Sequence, residues 1–241
     1  MDIVDIHSHI LPGVDDGSAS LEDTFRLLDH AVDQGLTEVI ATPHYSRRNT
    51  DPARIEHLRS RWRELREAAR ERYEDLTIYL GQELYYHEEL PEHISRGLAL
   101  PLADSSYYLV EFSVGESWDM ILRGLRRIAG LGVIPVLAHM ERYGSIDSLK
   151  KAEAVKDAGA VIQVNYDSLA GGLFDPETRR SRRLVKSGLA DVVASDMHRP
   201  DFRPFEIGAP MKVLRKLTDE ARLEKLVQEN PRRILSDREI R

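Results

Sequence analysis

The sequence predicts an α/β protein in which seven parallel strands close into a barrel with helices outside, and three observations carry that prediction. Short β-rich runs alternate with amphipathic helical stretches along the chain, and parallel neighbours need the crossover that such helices supply. Seven such units recur within 241 residues. No Ser/Gly-rich linker, low-complexity tract or internal repeat interrupts them, so residues 1–241 are expected to form a single domain.

The strand candidates are DIVDI (2–6), TEVIAT (37–42), LTIYLG (76–81), YYLVEF (107–112), VIPVLA (133–138), AVIQVN (160–165) and ADVVAS (190–195). Between them, Ser20 followed by Asp23 forms a capping-box pattern that opens a helix over LEDTFRLLDHAVDQ, which Gly35 can close. A second helix is expected from about Ser117 to Leu131, ending at Gly132. Asn230 before Pro231 reads as an N-cap with proline at the first helical position of PRRIL. The segment 54–74 mixes arginines and glutamates at helical spacing. That pattern describes a solvated surface helix first and a docking face for an anionic partner second; RRSRR (179–183) carries the same two readings.

Composition excludes several classes. With 41% hydrophobic and 31% charged residues the balance is that of a globular protein, and no apolar run approaches the ~20 residues that span a bilayer. The start, MDIVDIH, has no basic cluster or apolar core, so no secretory signal is expected. Zero cysteines rule out disulfides and thiolate metal ligands and suit a cytoplasmic location. A net charge of −7 argues against a general nucleic-acid binder.

The ionisable residues fall at one end of the strands. His7 and His9 follow the first, His44 the second, Glu83 the third, Glu111 the fourth, His139 the fifth, and Asp196 with His198 the seventh. In a parallel barrel those carboxyl ends converge on the face that holds active sites. Residues i and i+2 share a strand face, so HSH and DMH each aim two groups in one direction. Imidazoles and carboxylates without thiolates suit Zn²⁺, Mn²⁺ or Fe²⁺, and so many ligands exceed what one ion needs. Two or three divalent ions are expected. His30, His57, His87 and His93 lie in helical or polar stretches and receive no chemical role.

HSH near the start, DDG just after it, then TPH, GQE, EF, AHMERY and SDMH in this order resemble the PHP (polymerase and histidinol phosphatase) superfamily. The opening DIHSHILPGVDDG, with GQELYY and HMERY, resembles the bacterial manganese-dependent protein-tyrosine phosphatases of capsule and exopolysaccharide operons. The resemblance runs from residue 2 to about 205. It implies a distorted seven-stranded barrel with a trinuclear site, manganese first and iron or zinc as other candidates. By position, one ion would take His7, His9, Glu83 and Asp196; a second Glu83, Glu111 and His139; a third Asp16, His44 and His198. Asp15 is read as a loop cap first and a metal contact second, and Asp5 as either an acceptor that orients His7 or a simple interior hydrogen bond.

Clustered metals lower the pKa of water and neutralise phosphoryl oxygens, so no nucleophilic cysteine is needed. Arg142, three residues after His139 and within the resemblance's ERY motif, is the first candidate to fork onto phosphate. Arg203 is the second, with Arg47 and Arg48 at the pocket mouth. Asp196 or His198 would supply a proton through water, and Tyr85, Tyr86, Tyr143 and Tyr166 are candidates to line a wall for an aromatic substrate. The expected substrate is phosphotyrosine on protein, namely the tail of a tyrosine autokinase that controls polysaccharide export, with no nucleic-acid or membrane partner. Three alternatives stay open: a small-molecule phosphomonoesterase such as a histidinol-phosphatase, a nuclease or polymerase-associated module, and a non-catalytic metal-stabilised scaffold. Native metal and oligomeric state are not set by the sequence.

Overall fold

The structure, a computed structural model, describes residues 1–45, 47, 51–172 and 174–240. Its strands form two parallel arcs. One has the order β1 (Ile3–Ser8), β2 (Leu36–Ala41), β3 (Thr77–Leu80); the other runs β4 (Glu83–Tyr85), β5 (Tyr107–Glu111), β6 (Ile134–Leu137), β7 (Val161–Asn165), β8 (Val192–Ala194). All seven predicted strands are present. The third is interrupted at Gly81 and Gln82: Gly81 N still donates to Ala41 O and Glu83 N to Pro43 O, while β4 pairs on its other side with β5. A Cβ on Gly81 would lie 3.0 Å from Leu102 Cδ2 and 3.2 Å from Ile40 Cγ2, and Gln82 accepts the Leu100 amide at 2.9 Å, which pins the break.

Isolated parallel bridges link the arcs at both seams, Ser8 with Met197 and His44 with Glu83. Asp196 N donates to His7 O at 2.9 Å and His9 N to Met197 O at 2.8 Å. One strand face packs inward, where Ile6, Ile40, Leu109, Val136 and Val192 meet beside Leu102 and Ile234. The other packs against the helices, so the strands are apolar on both faces. With one end filled by hydrocarbon, polar groups collect at the other.

The helices between strands are α1 (Leu21–Asp33), α2 (Pro52–Arg70), α3 (Leu90–Ser95), α4 (Trp118–Ala129), α5 (Leu149–Asp157), α6 (Tyr166–Ala170) and α7 (Pro176–Lys186). Ser20 caps α1 by accepting Asp23 N at 3.2 Å. Ser117 caps α4, which stops at Gly130 rather than Gly132. After β8 come α8 (Gly208–Leu217), α9 (Glu220–Glu224) and α10 (Asn230–Leu235). Here the N-cap expectation fails. Asn230 has helical φ/ψ, because a π-type stretch over Lys225–Glu229 runs straight into α10. Its side chain instead donates to Asp191 O at 2.7 Å, tying the last helix under β8. Among the described residues no helix is long and apolar enough to cross a membrane.

Candidate metal centre

Each of the nine candidate ligands stands at a strand end or just beyond it. His7 lies in β1 and His9 follows it; Glu83 opens β4, Glu111 ends β5, and His139, Asp196 and His198 lie two to four residues past β6 and β8. Asp16 comes from the loop after β1, held by a Gly17 amide on Asp15 Oδ1 at 3.0 Å and a Ser18 amide on His9 O at 3.0 Å. His139 and Asp196 sit at φ 34° and 54°. Left-handed backbone is costly for residues with a Cβ and recurs where geometry serves a site. At His139 it starts the tight turn Met140–Arg142, which swings Arg142 over the same opening.

Glu83 is the hub. Its oxygens lie 3.3 Å from His7 Nε2, 3.4 Å from His9 Nε2, 3.0 Å from His44 Nδ1 and 3.0 Å from His139 Nε2. Glu111 approaches His139 Nε2 at 3.5 Å, Asp16 meets His44 Nε2 at 3.2 Å, and Asp196 Oδ1 faces His7 Nε2 at 3.4 Å. Three groups have donor atoms within 4.8 Å of one another: His9, Asp16, His44 and His198; His7, His9 and Asp196; His44, Glu83 and Glu111. Relative to the positional assignment, His9 joins the third set and His44 stands with Glu83 and Glu111. The cluster opens on a cleft of ≈ 480 Å³.

Electrostatics distort the buried groups at the heart of the cluster. Burial works against ionised Glu83, yet the surrounding imidazoles, His7 foremost, hold its carboxyl well below the usual range. Burial and the neighbouring Glu83 charge push Glu111 up to about 7. His9 is raised well above its ordinary value: burial opposes the charge, but Asp15 and Glu83 outweigh it. Burial and His9 bring His198 down to about 4. Asp196 is lowered because His7 and Arg142 outweigh its burial.

These residues fit divalent cations. His9 Nδ1 bonds Asp15 Oδ2 at 2.8 Å, His198 Nδ1 bonds Asp196 O at 2.8 Å and His7 Nδ1 bonds Gln163 Oε1 at 3.3 Å. Each partner only accepts, so each ring carries its hydrogen on Nδ1 and turns Nε2 inward, as metal-ligating imidazoles do. The His7 and His9 Nε2 atoms then face each other at 3.4 Å, an arrangement that needs a positive charge between them. Cation binding would displace the protons these rings otherwise hold.

Arg142 Nη2 donates to Asp196 Oδ2 at 2.8 Å and Arg203 Nη1 donates to the same oxygen at 3.1 Å, so both predicted arginines reach the cleft. Arg47 pairs with Glu89 at 3.4 Å and is not in the cleft wall; Arg48 lies outside the described residues. Nor do the four tyrosines form a wall. Tyr86 stacks on Phe112, Tyr143 accepts the Phe112 amide at 3.0 Å, and Tyr166 is buried, while exposed Tyr85 is not among the cleft residues. Phe202, 46% exposed, lies edge-on to His198 with ring centroids 6.0 Å apart.

Asp15 is the loop residue expected of it, and it also orients His9 and accepts the His44 amide at 3.0 Å. Asp5 instead takes the Ser195 amide at 2.9 Å, and Gln163 serves the His7 ring. Gln163 and Asn165 were not anticipated. Gln163 Oε1 also accepts His139 N at 2.8 Å, and Asn165 Nδ2 donates to Asp196 Oδ2 at 3.0 Å. Their signal was two amides at i and i+2 in the otherwise apolar AVIQVN. Asp167 and Glu177, in the first turns of α6 and α7, also line the cleft and carry no such mark.

Known proteins resemble the chain over nearly its full length. It is 34% identical over 244 residues to the tyrosine-protein phosphatase CpsB of Streptococcus pneumoniae, covering 99% of this chain and all of that protein. It is 32% identical over 222 residues to the tyrosine-protein phosphatase YwqE of Bacillus subtilis, covering 89% and 84% of the two chains. A solved structure from a study of YwqE of B. subtilis and CpsB of S. pneumoniae, described as unique metal-dependent tyrosine phosphatases, superposes with a TM-score of 0.88 at 30% identity. It covers 99% of this chain and 96% of the other. Residues 3–236 match the family described as capsular polysaccharide synthesis, CpsB/CapC, and the chain belongs to that family.

Proposed function

We propose that this chain is a metal-dependent protein-tyrosine phosphatase. The observation that carries the reading is one carboxylate, Glu83, touched by four imidazoles beside two arginines that share Asp196. The cluster is assigned two or three divalent ions, manganese before iron or zinc. One would be held by His7, His9, Glu83 and Asp196, a second by Glu83, Glu111 and His139, and a third by Asp16, His44 and His198, with His9 and His44 near enough to serve a neighbouring set as well. When bound, such ions supply hydroxide at neutral pH and neutralise phosphoryl charge.

The protein's own groups do the positioning. Arg142 and Arg203 can trade their shared carboxylate oxygen for phosphoryl oxygens, since a guanidinium forks onto phosphate. Asp196, ionised between His7 and the arginines, keeps both aimed before substrate arrives. A phenolate leaves readily, its ordinary pKa being ~10, so the step needs little proton delivery; Asp196, held ionised, and His198, brought down to about 4, are deprotonated at neutral pH and make poor donors through water. Residues 1–241 are assigned to one domain, a distorted seven-stranded (β/α) barrel closed at the two bridged seams. The protein substrate we assign is a tyrosine autokinase of capsule or exopolysaccharide synthesis in the cytoplasm; the family description, capsular polysaccharide synthesis, supports the capsule part of that reading.

Phosphotyrosyl-peptide turnover should vanish in chelator and return with Mn²⁺. A metal-replete preparation that is inactive on such peptides, or that prefers histidinol phosphate in kcat/KM, overturns the assignment.

A further inference from the structure

A groove of ≈ 560 Å³ away from the metal centre runs between α2 and β3. Of the six arginines of α2, Arg54 is held by Val14 O at 3.0 Å and Arg61 by Pro12 O at 3.2 Å. The other four, Arg59, Arg63, Arg66 and Arg70, all line the groove. Spacings of four, three and four put them on one helix face. Arg63 makes a surface pair with Glu56 at 3.0 Å; among the described residues Arg59, Arg66 and Arg70 form no ion pair, and Arg66 rests over the Trp62 ring at 4.3 Å. Arg59–Arg63 and Arg66–Arg70 are like-charge i,i+4 pairs, which destabilise a helix. Asp104 is the one acid in the groove lining.

The floor is a strand edge. Gly81 N donates to Ala41 O at 2.9 Å, so the odd residues of β3 face β2 while Ile78 and Leu80 turn their peptide groups to the groove. Trp62 Nε1 donates to Ile78 O at 3.0 Å, so the Leu80 peptide group is the part of this edge left to a ligand. Leu80, Leu100 and Tyr79 add apolar surface. A comb of cations above a strand edge that Trp62 covers only in part matches an extended chain with carboxylates on one side.

We propose that this groove binds an extended acidic peptide segment, and that the segment belongs to the phosphotyrosyl protein hydrolysed at the metal centre. The source of the segment rests on the phosphatase reading; the binding does not. The end of β3 leads to the centre, because Glu83 follows Leu80 by three residues, at most about 10 Å of chain. Acidic residues a few positions from the phosphotyrosine would therefore engage both sites at once, raising effective concentration.

The test uses full-length protein and its variant Arg59→Ala/Arg63→Ala/Arg70→Ala. Fluorescence anisotropy is read with a tyrosine-free acidic peptide, its Gln/Asn counterpart and a single-stranded oligonucleotide. Turnover is read on free phosphotyrosine and on a phosphotyrosyl peptide with an acidic extension. The acidic peptide should bind wild type more tightly than its neutral counterpart, and the variant should bind it about ten-fold more weakly. The variant should raise KM about ten-fold on the extended peptide and leave free phosphotyrosine unchanged. Equal binding of acidic and neutral peptides, unaltered binding by the variant, tighter binding of the oligonucleotide, or an equal loss on both substrates overturns the inference. Arginine-dependent peptide binding without turnover of any phosphotyrosyl substrate would uphold the groove and defeat the phosphatase reading instead.

Discussion

Replacing Gly17 with alanine should disable the centre without touching any proposed ligand. A Cβ at Gly17 would lie 2.0 Å from His9 O and 2.5 Å from His9 Cβ, where real Cβ contacts stay beyond 3.0 Å. The nearest obstacle is backbone, so no side-chain rotation relieves it. Either His9 or the loop carrying Asp15 and Asp16 must retreat by about 1 Å, and a misplacement of that size costs on the order of 100-fold in rate. Asp15 transmits the shift, since it bonds both the His9 ring and the His44 amide. The assay is kcat/KM on a phosphotyrosyl peptide in Mn²⁺, with bound metal and thermal unfolding measured on the same sample. Gly144→Ala is the control, because nothing lies within 4 Å of its added carbon. Gly17→Ala activity within about three-fold of wild type, with full metal content, would refute the reasoning.

Glu83→Gln should lose bound metal and lower kcat by at least about 100-fold, because one carboxylate serves four imidazoles; metal analysis that finds wild-type stoichiometry contradicts the hub role. Arg142→Lys keeps the charge but loses the fork, and should cost roughly 100-fold in kcat/KM, whereas Arg203→Lys, on the more exposed arginine, should cost less. Steady-state kinetics on one peptide orders the two. Burial pushes Glu141 up to about 7; its Oε1 accepts the Asn165 amide at 2.9 Å and its Oε2 has no partner. The folded state therefore favours protonated Glu141. That contribution is present below pH ~4.5 and is lost as pH rises through ~7. Glu141→Gln should thus gain on wild type above pH 7 by up to about 3 kcal/mol and converge with it below pH 4.5 in urea unfolding; a difference independent of pH rules this out.

Much of the molecule was legible before its structure because two local periodicities govern it. Alternating β-rich and helical stretches force parallel pairing, and the strand period of two turns HSH into two rings on one side. Eight of the nine ligand candidates stood out because ionised groups at the ends of apolar strands have few other uses in a barrel, whereas Asp16 came from the resemblance. Gln163 and Asn165 escaped notice because neutral amides are unremarkable until their partners are known; His7, His139 and Asp196 reach them from three other segments. The tyrosine wall failed for the same reason: exposure depends on packing partners such as Phe112 rather than on nearness to a motif.

The sequence by itself determined the absence of thiols, the nitrogen and oxygen donors available to a cation, the strands that carry most of them, and the two arginines that follow His139 and His198 in the chain. Only the tertiary structure decided which oxygen each arginine shares, why Gly17 must lack a side chain, where the third strand breaks, why Asn230 is no cap, and that four arginines of α2 share a groove. Those outcomes depend on contacts between segments far apart in the chain, whose distances no local pattern encodes.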